Sequence, residues 1–122
     1  MILLTELNPH NYITTPEIDT NLQTLLKRIN NIRTAWNKPM IVTSGLRSIA
    51  DQNRINPSAI KSNHLIGAAV DVYDPGLTLT AWLKQNNSQI LIDSELWCEE
   101  GNSDWVHFQI FPPHSGNRWF LP

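Results

Sequence analysis

Ser62-Asn63-His64-Leu65-Ile66-Gly67-Ala68-Ala69-Val70-Asp71 decides the reading of this chain, taken together with Asp104-Trp105-Val106-His107. A turn at Gly67 joins a histidine to the run Ala69-Val70-Asp71-Val72-Tyr73, whose alternation puts Val70 and Val72 on the core face of a strand and Asp71 on the other. The second block alternates too: Val106, Phe108 and Ile110 point inward, and Trp105, His107 and Gln109 point the opposite way. Two imidazoles, a ligand carboxylate and a further carboxylate make up what a catalytic zinc site needs, three protein ligands and a general base. A carboxylate amid Ala-Val-Asp-Val-Tyr must be met by a cation, by donors or by water, because desolvating it unpaired costs several kcal/mol. The competing answer is a salt bridge with Arg47.

The whole chain narrows the options. Its 122 residues make one domain, 1–122, long enough for a core of its own. Charged residues are 16%, the net charge is −2, and Lys and Arg are scattered, so nothing suggests nucleic acid as a partner. A single cysteine, Cys98, rules out an internal disulfide and a multi-cysteine zinc site, and reads as a buried small hydrophobe beside Trp97. The N-terminus lacks the basic flank and apolar run of a secretory signal, and no stretch is long enough to span a membrane. A monomer, cytoplasmic until release to its site of action, is expected.

Around the central stretch, Leu22, Leu25, Leu26, Ile29, Ile32 and Trp36 recur at three and four and predict a helix from Glu17, with Thr14 and Glu17 as a capping box and Pro16 in the first turn. Met40 to Ser44 reads as a short buried strand, and residues 48–61 as a helical turn and then a surface loop walling a cleft. Thr78 is a candidate cap for a second helix carrying Leu79, Trp82 and Leu83, which Asn86-Asn87-Ser88 stops. Ile90-Leu91-Ile92, Glu95 to Glu99 and Trp105 to Ile110 read as strands of an antiparallel sheet. The tail from Phe111 is too proline-rich for a strand and too aromatic to float free. Trp36, Trp82 and Trp97 fill core space and His10 lies on the surface; Glu99 and Glu100 precede a turn and read as solvated, with a supporting place beside the site as the alternative for Glu99, and His114 in the tail could approach the rim.

Ser44-Gly45-Leu46-Arg47-Ser48, Ser62-x-His64-x-x-Gly67-x-Ala69-x-Asp71 and Asp104-Trp105-x-His107-Phe108 together resemble the three motif blocks of the D-Ala-D-Ala zinc metallopeptidases. These share their fold with lysostaphin-type peptidases and hedgehog domains, and include cell-wall carboxypeptidases, dipeptidases and phage endolysins. The tail Pro112-Pro113-x-Ser115-Gly116-x-Arg118 is similar to that of small phage-encoded members. The resemblance implies one Zn2+ per chain held by His64, Asp71 and His107, with Asp104 as the catalytic carboxylate where many relatives carry Glu. It gives Arg47 a catalytic and substrate-binding role, facing the substrate's carbonyl or carboxylate, and makes Ser62 a polar neighbour of the substrate. Trp105 is expected to line the cleft. On an unbroken strand Asp104 faces away from His107, so its role requires a bend or bulge near Ser103-Asp104.

The expected architecture is therefore α+β, a small antiparallel sheet with helices on one face and a zinc cleft on the other. The function the resemblance implies is hydrolysis of an amide bond in the peptide part of peptidoglycan, as a D,D-carboxypeptidase or an endopeptidase, in a phage lytic or virion-associated setting. The rivals are a catalytically inactive zinc-stabilised binding module of the same fold and a metal-free interaction protein in which Asp71 pairs with Arg47.

Overall fold

The computed structural model describes residues 1–51 and 62–122, so the expected loop over 48–61 lies mostly outside the described residues. A one-turn helix, α1 (Leu4–Leu7), leads to the long helix α2 (Pro16–Trp36). The three-and-four spacing is what buries Leu22, Leu25, Ile29 and Ile32 on one face of α2. The cap is Thr15 rather than Thr14: its hydroxyl accepts the Ile18 N–H at 3.2 Å. Pro16 then stands at the first helical position, where its missing N–H has no partner to lose. Asn37 closes the helix in the left-handed conformation and returns its N–H to the Arg33 carbonyl.

Five strands form one sheet: β1 (Val42–Ser44), β2 (Ala69–Tyr73), β3 (Trp97–Glu99), β4 (Trp105–Gln109) and β5 (Trp119–Phe120), in the order β1-β2-β4-β3-β5. Neighbours are antiparallel except β5, which runs parallel to β3 with Cys98 opposite Trp119. The strand in the tail was not expected from its prolines. Trp119-Phe120 lies beyond them, and Arg118 anchors it by stacking its guanidinium 4.3 Å over Trp97 and donating to the Leu96 carbonyl at 3.0 Å.

On one face of the sheet Val70, Val72, Cys98, Val106 and Phe108 join Leu22, Leu25, Ile29 and Ile32 of α2 in a single core. Two further helices, α3 (Thr78–Leu83) and α4 (Gln85–Ser94), add Leu79, Leu83 and Leu91 to it. Ile90-Leu91-Ile92 is thus helical and not a strand, because a short apolar run looks the same in either state and burial of Leu91 among helices decides it. Asn86, Asn87 and Ser88 do break the chain, with φ of 53°, 56° and 60°. Thr78 is not the cap of α3. The buried Asp74 accepts the Leu79 and Thr80 N–H groups at 2.8 Å each and the Thr80 hydroxyl at 2.6 Å. Among the described residues no helix is long and apolar enough to cross a membrane.

Two glycines let backbone come close where the other face of the sheet is built. A Cβ on Gly45 would sit 2.3 Å from the Leu7 carbonyl oxygen, because α1 ends against β1 and the Leu46 N–H donates to that same oxygen at 2.7 Å. Gly67, at φ +71°, ends a 3-10 turn over Asn63–Ile66, and a Cβ there would meet Leu22 Cγ at 2.9 Å. Asn21 of α2 binds the same turn by donating to the Ile66 carbonyl at 2.9 Å. The long helix therefore sets the position of His64. Gly45→Ala is expected to lower stability by roughly 1–3 kcal/mol in urea unfolding, as overpacking does; an unchanged midpoint would mean that α1 can retreat freely.

Candidate metal centre

Strand register brings the sequence-distant residues together. Asp71 on β2 lies directly opposite His107 on β4, and Ser44 on β1 lies opposite Asp71 on its other side. His64 comes in from the 3-10 turn ahead of β2, held at both ends of its backbone: its N–H donates to Ser62 Oγ at 3.2 Å and its carbonyl accepts the Arg47 N–H at 3.1 Å. Ser62 is thus the cap of this turn, and its described role is to place His64. All three of His64, Asp71 and His107 are buried, and one potential ligand atom from each lies within 4.8 Å of the others.

Each ring's orientation follows from its outer partner. His64 Nδ1 is 2.9 Å from the Gly45 carbonyl, which can only accept, so Nδ1 carries the hydrogen and Nε2 faces inward. Gln109 donates its amide N–H to the Phe111 carbonyl at 2.8 Å, which turns its Oε1 toward His107 Nε2 at 2.9 Å. His107 Nε2 therefore donates and Nδ1 faces inward. His107 Nδ1 then lies 2.9 Å, and His64 Nε2 3.3 Å, from the same oxygen, Asp71 Oδ1. In their neutral forms both rings would aim a lone pair at a carboxylate oxygen. Only a proton or a cation between them relieves that, and two imidazole nitrogens with one carboxylate oxygen suit Zn2+. Orientation of each ligating ring by a carbonyl acceptor is the usual support of a metal site.

Asp71 also has the other partner foreseen for it. Arg47 Nη2 is 3.2 Å from Asp71 Oδ2, while Arg47 Nε donates to Ser44 Oγ at 2.9 Å. The carboxylate is thus divided, one oxygen to the arginine and one to the imidazoles. Burial alone would push the Asp71 carboxyl up, but its bonds to His107 and His64, and their charge, hold it well below the usual carboxylate range. Burial would likewise push His107 down. The bond to Asp71 and its charge, the bond to Gln109 and the charge of Glu99 outweigh it and raise the ring above its ordinary 6.5.

Other candidates fall around this centre. Phe120 stands edge-on to His107 with ring centroids 6.2 Å apart. Trp105 opens β4 on the same face as His107 and lines a hollow of about 120 Å³ with Glu99, Asn102 and Trp119. A larger cavity, about 820 Å³, has Arg47, the partner of Asp71, in its wall among Tyr12, Ile13, Leu46, Ile49 and Leu65. Asp104 is exposed at the bend before β4, its carbonyl accepting the Asp74 N–H at 2.7 Å. His114 is exposed. Gln109 and the Gly45 carbonyl were missed in the sequence; Gln109 was findable as the next same-face residue after His107, whereas a backbone carbonyl leaves no signal.

The metal-free protein should respond to pH through His107. A raised folded value gives stability that is fully present below the unfolded value near 6.5 and lost as pH rises through the folded one. Asp71, depressed when folded, gives stability lost only as pH falls toward its low folded value, well below this range. Melting of the chelated protein is therefore expected at lower temperature as pH is raised above about 6.5, whereas zinc affinity rises over the same range because binding displaces the ring proton. A flat profile for the chelated protein would contradict the assigned contacts.

The sequence pattern of the peptidase M15 family matches residues 3–107. Among solved structures, the chain is similar to the L-Ala D-Glu endopeptidase ChiX of Serratia marcescens, with a TM-score of 0.54 and 23% identity over 86% of this chain and 95% of that one. No curated protein matched. The match over residues 3–107 places this chain in the peptidase M15 family.

Proposed function

We propose that this protein is a zinc-dependent hydrolase of an amide bond in the peptide part of bacterial peptidoglycan. The observation that carries the reading is the convergence of His64 Nε2 and His107 Nδ1 on one oxygen of Asp71, with the outer nitrogen of each ring tied to a carbonyl. His64, Asp71 and His107 would hold one zinc ion. When bound, zinc supplies a Lewis acid that polarises the scissile carbonyl and makes water nucleophilic near neutral pH. Asp104 is proposed as a catalytic carboxylate carrying a proton from water to the leaving nitrogen, from its place at the bend ahead of β4. Arg47 fixes the second oxygen of Asp71 and borders the larger cavity, Ser62 holds the His64 turn, and Trp105 offers an aromatic wall to the substrate.

Endopeptidase action is favoured over carboxypeptidase action. A carboxypeptidase needs a cation for the substrate's terminal carboxylate, and Arg47, the guanidinium expected to provide it, is engaged by Asp71 Oδ2 and Ser44 Oγ. The structurally similar Serratia protein is an endopeptidase by name. A phage lytic or virion-associated setting is proposed from the family resemblance, supported by the tail Pro112-Pro113-x-Ser115-Gly116-x-Arg118.

One zinc per chain is expected by elemental analysis, lost in His64→Ala. A folded protein without zinc, indifferent to chelator, would leave the metal-free reading in which Asp71 serves only Arg47. Asp104→Ala should keep the zinc and lose at least about 100-fold in muropeptide cleavage; wild-type cleavage would take Asp104 out of the chemistry. Mass spectrometry of digested peptidoglycan identifies the bond cut, and recovery of new termini inside the stem peptide, rather than loss of its last residue, is the expected result.

A further inference from the structure

The sheet presents a second carboxylate to the metal cluster, one outside the three sequence motifs. In the register of β3 and β4, Trp97 lies opposite Gln109 and Cys98 opposite Phe108. The next step sets Glu99 opposite His107, which is itself opposite Asp71. Asp71, His107 and Glu99 thus form one row across three strands. The fully buried Cys98 occupies the helix-packed face, so alternation turns Glu99 to the face of the site. Directly opposed residues have Cβ atoms about 4.5–5.5 Å apart. The negative charge of Glu99 is accordingly felt at the His107 ring.

Glu99 is half-buried, yet no ion pair among the described residues occupies it. The nearby Lys84 pairs instead with Glu100 at 2.9 Å. The Asn102 amide, in the orientation that satisfies both neighbours, donates to Glu99 Oε1 at 3.2 Å and accepts from Trp105 Nε1 at 3.3 Å. One oxygen of Glu99 is therefore steadied from the side, and Oε2 has no hydrogen bond among the described residues. Asp104 is placed differently. The ladder from Gln109 to Trp105 has no inserted residue, and the bond from Asp74 N–H to the Asp104 carbonyl continues it. Three residues along a strand amount to about 10 Å.

We propose that Glu99 is a catalytic carboxylate of the site, the one that takes the first proton from the attacking water. The inference rests on the hydrolase reading above and deepens it. Amide hydrolysis at neutral pH yields a carboxylate and an ammonium, so both hydrogens of the water end on the leaving nitrogen. The first moves to Glu99 as the water oxygen bonds to the amide carbon and the carbonyl π pair moves onto its oxygen. When the C–N bond breaks, its electron pair goes to nitrogen, which takes that proton from Glu99. The second leaves the new acid group for the freed amine, and Asp104, at the exposed mouth, is placed to carry it.

The test is Glu99→Gln, nearly isosteric and still able to bond Asn102, with Glu100→Gln as control. The expected result is one zinc per chain and wild-type melting in both, a loss of about 100-fold or more in kcat with little change in KM for Glu99→Gln, and wild-type cleavage for Glu100→Gln. In the metal-free protein the His107 ring resonances should shift in Glu99→Gln and stay in place in Glu100→Gln. An active wild type with an equally active Glu99→Gln overturns the role of Glu99 alone, as does an unmoved His107 resonance. A zinc-loaded wild type that cleaves no peptidoglycan peptide overturns the hydrolase reading and the role of Glu99 with it.

Discussion

One oxygen atom, Asp71 Oδ1, faces two imidazole nitrogens whose hydrogens are fixed on the far side of each ring. That arrangement is unfavourable unless positive charge enters it. Three polar side chains also give up most of their hydration to reach it, each being buried to 8% exposure or less. Desolvation on this scale is not repaid by hydrogen bonds of ordinary strength, and the site tolerates it only with a cation at its centre or with a proton held on His107. The expected pH behaviour, the fitness of the site for a cation and the rigidity of the surroundings all follow from this one constraint.

Rigidity is supplied from the side of the sheet that has no part in the chemistry. α2 packs Leu22 against Gly67 and holds Ile66 through Asn21, so the turn bearing His64 is placed by the same helix that fills the core. α1 presses its last carbonyl against Gly45, whose own carbonyl orients the His64 ring. Neither glycine could carry a side chain without moving the elements that position His64. Asp71 and His107 need no such help, since direct pairing of β2 and β4 fixes their spacing.

Much of this was legible in the sequence wherever a periodic pattern met a chemical need. The buried face of α2, the alternation of Val70 and Val72 around Asp71, and that of Val106 and Phe108 around His107 could be read directly. What escaped reading depends on pairing across the chain. Ile90-Leu91-Ile92 carries no period long enough to tell helix from strand. Asp74 caps a helix that starts four residues later, across a 3-10 turn, beyond the usual capping interval. β5 exists because Trp119 and Phe120 find β3, not because of local propensity. Glu99 reads from the sequence as a solvated residue ahead of a turn, and its place beside His107 follows only from the β3–β4 register.

Arg47 shows why the salt-bridge and metal readings of Asp71 are compatible. The carboxylate has two oxygens, and the fold gives Oδ2 to the guanidinium and Oδ1 to the imidazole pair. If both oxygens served the metal position, Arg47, whose side chain is only 14% exposed, would lose this anion. If both served Arg47, the inward nitrogens of His64 and His107 would face each other with no acid between them. Dividing the carboxylate leaves each buried charge with a partner and gives Asp71 a single oxygen on the side of the imidazole pair. Two imidazole nitrogens and one carboxylate oxygen make three donors, and a zinc ion held by three protein donors would keep a position for water, which is what separates a site built for reaction from one built only to hold the fold together.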